Sequence, residues 1–230
     1  MPQQIDKNFK FFLYIFIFIF LSSINNLWWI KTKDSIFKIS EIEVTGLKEE
    51  LNYNIKKKLN FIFGENIFFI NSHKIKKELN NINYIENYKI KKYFPSKLKI
   101  NIKKTKILAQ AFNNNKKYYI GSNTKKIDNL EEIDNKNYPT IFGEFSVKEF
   151  IKLRNIIYDA QFDLKNITNY YYFKSKRWDI KLKNGTLIKL PRENIHDAIV
   201  LVKNIISKNI NNQKKIIDLR MEEQIIFSNG

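Results

Sequence analysis

Residues 167–191 read ITNYYYFKSKRWDIKLKNGTLIKLP and carry the clearest fold signal in the chain. Apolar and aromatic residues recur at short intervals on both sides of Asn184 and Gly185. Both residues of an Asn-Gly pair can adopt a positive φ, which the turn of a two-residue hairpin requires. The stretch therefore predicts a β-hairpin and places a sheet in the C-terminal half of the chain.

The segments around this hairpin predict the remainder of a sheet with helices packed on it. Residues 146–160 have the apolar spacing of an amphipathic helix, with an inward face made by Val147, Phe150, Ile151, Leu153, Ile157 and Ala160. A second such helix is predicted in residues 192–210, with short strands at 107–112 and 118–123 and a polar loop at 123–137. We expect a mostly antiparallel sheet backed by helices.

The closing stretch, KKIIDLRMEEQIIFSNG at residues 214–230, alternates with a period of two. One face consists of Ile217, Leu219, Met221, Ile225 and Phe227, and the other of Asp218, Arg220, Glu222 and Gln224. This alternation predicts one strand with one buried face, beside the hairpin and at the edge of the sheet. An edge strand presents unpaired N–H and C=O groups, so it is either the end of the fold or a docking site.

Residues 37–105 predict a separate unit with the element order β-α-α-β-β. A strand in residues 37–47 stops at Gly46, and helices are expected at 49–62 and 72–80 around an apolar loop. Two further strands meet at a turn at Pro95-Ser96. We expect a three-stranded sheet with two helices on one face.

Residues 11–30, FFLYIFIFIFLSSINNLWWI, contain no charge. Twenty helical residues span about 30 Å, the thickness of a hydrocarbon core. No small-x-small cleavage site follows, which favours an uncleaved anchor over a signal peptide. Lysines flank the segment on both sides, so charge does not fix its orientation. The expected anchor residues include Phe11, Phe16 and Ile19 within the helix and Trp28 and Trp29 at its interfacial end.

The net charge of +18 does not predict a nucleic-acid binder. Of the 41 basic residues 37 are lysines, spread over the whole chain beside many Ile and Asn, which is typical of AT-rich codon usage. A nucleic-acid groove would need them gathered in one stripe. Against that background the four arginines, Arg154, Arg177, Arg192 and Arg220, are the more informative cations, because guanidinium is a planar fork of donors.

Catalytic and metal sites have little support in the sequence. Cysteine is absent, which excludes disulfides, thiolate nucleophiles and thiolate metal sites, and the two histidines lie 123 positions apart. No nucleophile-base set or carboxylate pair stands out, and six glycines leave little room for a phosphate cradle. We therefore expect no enzyme activity, cofactor, metal or small-molecule substrate, although an anchored envelope enzyme stays an alternative.

Two groups of motifs resemble known domains. VTGL, GENIFFIN and YIENYKIKKYFPSKLKI resemble a polypeptide-transport-associated (POTRA) domain. RWDIKLKNGTLIKLP, a helix and IIDLRMEEQIIF resemble the end of the FtsQ/DivIB bacterial cell-division proteins. The chain departs from that pattern at Lys104 and Ile107, where the family often has Glu and then Pro, and at Tyr84, where Trp is common. A POTRA-containing outer-membrane assembly or secretion accessory protein is the rival, but no run of barrel strands is present.

The resemblance implies an α+β protein that acts as a non-enzymatic divisome scaffold. It implies a short cytoplasmic tail (1–10), a transmembrane helix (11–30), a POTRA domain (36–105) and a C-terminal β domain (106–230), with both domains on the periplasmic side of the bacterial inner membrane at the septum. The implied partners are FtsB- and FtsL-like division proteins and other divisome components, without nucleic acid.

The resemblance also implies that the partner adds a strand beside the terminal strand. The residues expected at this docking edge are Arg177, Trp178, Asp218, Leu219, Arg220, Met221, Glu222, Glu223, Gln224, Ile225, Ile226 and Phe227. Arg220 is expected to reach a partner carboxylate with two hydrogen bonds. A surface pairing of Arg220 with Asp218 or Glu222 stays open, and Trp178 suits the core better than a contact surface.

Overall fold

The computed structural model describes residues 7–24, 36–114, 116–128, 137–208, 216–221 and 224–229. The first six residues of the expected tail, and Trp28, Trp29, Glu222 and Glu223, lie outside the described residues. The chain divides into two compact units. The N-terminal unit is Met1–Glu78 with Lys89–Asn101, and the C-terminal unit is Leu79–Tyr88 with Ile102–Gly230.

Helix α1 (Lys7–Ile24) contains most of the apolar run. Its large side chains from Phe9 to Leu21 are exposed, including those of Phe11, Phe16 and Ile19. Among the residues that the structure describes, no helix combines the length and the apolar character needed to cross a membrane.

The predicted β-α-α-β-β order of residues 37–105 is confirmed. Its elements are β1 (Glu41–Thr45), α2 (Glu49–Lys58), α3 (Ser72–Asn80), β2 (Ile85–Tyr93) and β3 (Lys97–Lys104). The strands form a sheet in the order β1-β3-β2, with β1 parallel to β3.

Apolar side chains from each of these elements are buried. Ile42 on β1, Ile55 on α2, Ile75 on α3 and Leu98 on β3 are almost fully shielded from solvent. Asn71 caps α3, because its Oδ1 accepts the backbone N–H groups of two residues in the first turn. The helical and strand periodicities of this stretch therefore identify its buried positions.

The described part of the C-terminal unit contains a nine-stranded sheet in the order β12-β11-β10-β9-β8-β7-β4-β5-β6. Its strands are β4 (Ile107–Asn113), β5 (Lys116–Gly121), β6 (Lys126–Asp128), β7 (Thr140–Phe142), β8 (Ile167–Tyr172), β9 (Trp178–Leu182), β10 (Leu187–Lys189), β11 (Ile216–Asp218) and β12 (Ile226–Ser228). Its helices are α4 (Val147–Asp159) and α5 (Ile195–Ser207). Five neighbouring pairs are antiparallel and three are parallel, so the sheet is mostly antiparallel as predicted.

One cross-strand row of this sheet forms the centre of the core. Ile141, Tyr170, Ile180, Ile188 and Ile217 occupy successive registered positions from β7 to β11, and all are buried. Apolar side chains of both helices belong to the same core: Phe150, Leu153, Ile157, Ala198, Ile199, Val202 and Ile205. The expected sheet backed by helices is therefore present.

The stretch that predicted one hairpin contains three strands. β8, β9 and β10 are antiparallel neighbours, so residues 167–191 make two successive hairpins. At the Asn-Gly turn only Gly185 has a positive φ, of 88°. The side chain of Asn184 instead accepts the N–H of Thr186. The turn is therefore stabilised by an Asx interaction and one left-handed glycine, which corrects the expected two-residue geometry.

Two short strands were not predicted. β6 lies inside the stretch expected to be a loop, and β7 follows it at Thr140–Phe142. β7 pairs in parallel with both β4 and β8, so it joins the two halves of the sheet. Three residues are too few to show a periodicity, and their pairing partners are distant in sequence.

Candidate functional site

The closing stretch forms a hairpin, which corrects the prediction of one continuous strand. β11 and β12 are antiparallel, with Ile217 opposite Phe227 and Asp218 opposite Ile226. β11 pairs in parallel with β10, so the predicted neighbourhood of the closing stretch and the earlier hairpin is confirmed. In the described sheet β12, and not β11, is the terminal strand.

Only part of the predicted oily face is buried. Ile217 and Leu219 belong to the core, and Phe227 packs against it partly buried. Met221 is 59% exposed and Ile225 is 36% exposed, which corrects their assignment to the buried face. These two residues follow β11 and precede β12, where strand alternation does not hold the side chains against the sheet.

Arg220 binds Asp218 two residues earlier, the pairing that the sequence left open. Its Nη2 donates to Oδ2 at 2.6 Å, and its Nε lies 2.8 Å from Oδ1 and 3.0 Å from Oδ2. The backbone N–H of Arg220 also donates to Oδ1, at 3.1 Å. The Asp218 side chain thus fixes both the backbone and the guanidinium of Arg220 as the chain leaves β11.

Asp218 belongs to a charged row that crosses three strands, defined here as Asp179, Lys189 and Asp218. Asp179 on β9 is registered with Lys189 on β10, which is registered with Asp218 on β11. Lys189 Nζ lies 3.7 Å from Asp218 Oδ2. At the other end, Arg177 Nε donates to Asp179 Oδ1 at 3.2 Å. The row alternates in charge and has an arginine at each end.

The two carboxyl groups of the charged row have opposite pKa shifts. Hydrogen bonds from Arg220 lower the pKa of Asp218, against a smaller effect of burial. Burial raises the pKa of Asp179, although Arg177 beside it favours the ionised form. Asp218 is therefore a firmly ionised anchor for Arg220, whereas Asp179 is a buried carboxylate that depends on the neighbouring cations.

The structure also locates the other two predicted site residues near β9. Trp178 is buried among Phe145, Tyr170 and Tyr172, so it holds the start of β9 in the core. The Arg177 guanidinium lies over the ring of Phe173, 4.5 Å from its centroid. The sequence did not predict a role for Asp179 or Lys189. The available signal was Asp179 itself, a charged residue between the apolar residues Trp178 and Ile180 in a predicted strand.

A groove of about 820 Å³ lies on the helix side of the terminal hairpin. It runs between the start of α5, with Asp197 and Leu201, and the hairpin residues Leu219, Met221 and Ile225. Arg192 and Arg220 also line it, so apolar and cationic groups are mixed. Together, the edge strand, the groove and the charged row define a surface suited to an extended peptide with acidic and apolar side chains.

Comparison with known families agrees with the fold. The family model for the FtsQ-type POTRA domain matches residues 37–104. The family model for the C-terminal domain of cell-division protein FtsQ/DivIB matches residues 109–220. The combination of an FtsQ-type POTRA domain and this C-terminal domain defines a class of cell-division proteins.

The chain is similar to the cell division protein FtsQ of Rickettsia bellii (strain RML369-C). The two chains are 26% identical over 187 residues, which cover 80% of this chain and 69% of the relative. The chain belongs to the FtsQ/DivIB family of cell-division proteins.

Proposed function

We propose that the protein is a non-enzymatic scaffold of the division machinery that recruits an FtsB-like partner, with FtsL-like and other divisome components, by strand addition at β12. The observation that carries this proposal is the position of β12 at the end of the described sheet order. β11 beside it is fixed by core packing and by the charged row. A rigid sheet edge of this kind is a template for β-augmentation.

The surroundings of β12 indicate what the partner segment contains. Side chains of an added strand alternate between the two faces of the sheet. The nearest described arginine is Arg220, which follows β11, the strand beside β12, and is paired there with Asp218. On one face of the sheet, side chains of the added strand meet the groove beside Leu201 and Met221. The partner strand therefore alternates acidic and apolar residues.

A proline scan of β12 tests strand addition. In an antiparallel pair, the N–H groups of successive residues point to opposite edges. Ile226→Pro, Phe227→Pro and Ser228→Pro should therefore divide by parity. Proline at a position whose N–H points to β11 should break that pairing and lower the thermal midpoint. Proline at a position whose N–H points to the open edge should keep the midpoint and weaken partner binding at least about tenfold, or about 1.4 kcal/mol. Titration calorimetry with the partner's extramembrane segment measures this, and unchanged affinity in every folded variant would contradict the proposal.

Arg220 is the proposed charge contact of this edge. Arg220→Glu should weaken binding about 30-fold or more, since losing one member of a desolvated charge pair costs about 2–5 kcal/mol. Arg220→Gln separates loss of charge from repulsion by Asp218. Lys152→Glu on α4 changes the net charge equally at an exposed site outside the edge and should leave affinity unchanged. If Arg220→Glu and Lys152→Glu weaken binding equally, the effect comes from the net charge of the chain and not from a direct contact of Arg220 with the partner.

We further propose that residues 11–30 anchor the chain in the inner membrane, with residues 1–10 cytoplasmic, and that a POTRA domain (36–105) and a partner-binding domain (106–230) lie in the periplasm. The support is the uncharged apolar sequence of this segment. Phe16→Asp combined with Ile19→Asp should release the chain from carbonate-washed membranes, because each central Asp costs about 2.5–3.5 kcal/mol on insertion. Phe16→Leu with Ile19→Leu is the matched control. A reporter fused after Gly230 should be active only outside the cytoplasm.

A further inference from the structure

A chain of aromatic rings, two of them exposed, lies on the N-terminal unit. The ring of Phe68 lies 5.1 Å from that of Phe37, edge to face, and 4.9 Å from that of Phe94, stacked. Phe68 is 51% exposed and Phe94 is 58% exposed. These three residues are defined here as the aromatic patch. Phe69, the next residue along the loop, is 72% exposed.

The backbone holds the aromatic patch in a fixed position. The N–H of Ile67 donates to the carbonyl of Phe37 at 2.9 Å, and Asn66 Oδ1 accepts the N–H of Phe68 at 3.0 Å. Ile67 is fully buried and therefore secures the loop to the core. Ile67 is thus the residue of this loop that packs into the core. The neighbouring rings of Phe68 and Phe69 stay on the surface, where an exposed apolar patch marks a contact site.

The N-terminal unit that carries the aromatic patch has a surplus of positive charge. Residues 36–78 and 89–101 contain 13 lysines and six glutamates. Lys91 and Lys92, near the end of β2, precede Phe94 by three and two positions. Two of the six glutamates, Glu41 and Glu43, are already paired with Lys97, at 2.8 and 2.7 Å. A partner of this surface is therefore apolar at its centre and anionic around it.

The chain itself limits the distance between the aromatic patch and a bilayer. Twelve residues separate Ile24, the end of α1, from Phe37 of the aromatic patch. Twelve extended residues reach at most about 43 Å. A bilayer that takes up the apolar segment containing α1 is thus always within reach of these rings.

We propose that the aromatic patch docks the N-terminal unit on an anionic phospholipid surface, with Phe68 and Phe94 at the interface between headgroups and acyl chains. Aromatic side chains favour this depth, and lysines are attracted to an anionic membrane surface. The inference rests on the proposed membrane anchor. It adds that the first folded unit lies against the membrane and does not hang free on its tether.

Label quenching in the full chain tests this docking. The chain has no cysteine, so Phe69→Cys provides a unique site for an environment-sensitive fluorophore beside the patch. The labelled chain is reconstituted into vesicles of phosphatidylcholine and phosphatidylglycerol that carry a headgroup-region spin label. The spin label should quench the fluorescence at least twofold. Phe68→Ser with Phe94→Ser should abolish the quenching, whereas Tyr53→Ser, at an exposed aromatic residue of the same unit, should not.

The outcomes separate docking from anchoring. Circular dichroism and thermal midpoints must match between the patch and control variants. Quenching that persists in the double variant Phe68→Ser, Phe94→Ser overturns the docking proposal. Quenching that appears only after another protein is added also overturns it. A chain that resists carbonate extraction but is never quenched overturns docking alone. A chain released by carbonate but quenched beforehand supports docking and contradicts the anchor. Loss of quenching in vesicles of pure phosphatidylcholine supports the proposed need for anionic lipid. Quenching that is equal in vesicles with and without phosphatidylglycerol overturns this need.

Discussion

At the residue scale, the Asp218 carboxylate organises the exit from β11. Hydrogen bonds from the backbone N–H, Nε and Nη2 of Arg220 converge on it, and Lys189 approaches from the neighbouring strand. Hydrogen bonds to a charged acceptor are worth more than neutral ones, particularly where the acceptor is shielded from water. Asp218 is buried, so its removal would leave the Arg220 guanidinium without the carboxylate that holds it in place.

The Asp218 pair should contribute to stability in a pH-dependent way. We expect Asp218→Asn to lower the free energy of unfolding by about 1–3 kcal/mol at pH 7. Because Arg220 lowers the pKa of Asp218 in the folded state, this contribution is complete above the unfolded pKa of about 3.9 and is lost as the pH falls through the folded value. Urea unfolding of both chains at pH 7 and at pH 2–3 should show the difference shrinking in acid. A difference that stays constant with pH would assign it to packing. The pKa of Asp179 is raised, so its effect on stability runs in the opposite direction.

At the element scale, the terminal hairpin shows a limit of sequence periodicity. Ile217 faces Phe227 across the hairpin, so residues of the same parity are registered with each other. A period-two pattern therefore continues unbroken through the turn, and the sequence fits one strand as well as two. The face of Ile217 and Leu219 was predictable for this reason, whereas the reversal of the chain between β11 and β12 was not.

The charged row could not be predicted from the sequence either. The register of three strands, and no local pattern, brings Asp179 and Asp218 to Lys189.

The two strands of the hairpin should separate stability from docking. Ile217→Ala removes a fully buried side chain and should cost about 2–5 kcal/mol of unfolding free energy. Ile226→Ala, at a position 48% exposed on the outer strand, should change stability by less than about 0.5 kcal/mol. Chemical denaturation monitored by tryptophan fluorescence measures both variants. Similar losses would mean that β12 contributes to the core as much as β11.

At the scale of the whole molecule, the fold class and the order of elements were predictable, because long amphipathic segments dominate both units. The extent of the second unit was less accessible to sequence analysis. Asn123 Nδ2 donates to the carbonyls of Asn83 and Ile85, and Ser122 donates to Glu86. These side chains join residues 79–88 to the C-terminal unit through contacts some 40 positions apart, which no local pattern reveals.

Hydrogen exchange should show which unit governs residues 79–88. Phe150→Ala, in the core of the C-terminal unit, should lower the opening free energy of their amides by about 3–5 kcal/mol. Ile42→Ala, in the N-terminal unit, should lower protection mainly in β1 and α2. Native-state exchange followed by mass spectrometry compares the two variants. Equal loss of protection in residues 79–88 would show that the whole chain opens as a single cooperative block.

The position of β12 in the chain has a consequence for biosynthesis. β12 is translated after every other described strand of its sheet, and its partner β11 is separated from β10 by α5. The edge therefore exists only once ribosomal synthesis has passed residue 228 and the preceding core has formed. A nascent or prematurely terminated chain that lacks β12 presents a different edge. Partner recruitment at the proposed β12 edge would thus depend on synthesis of every described strand of this sheet.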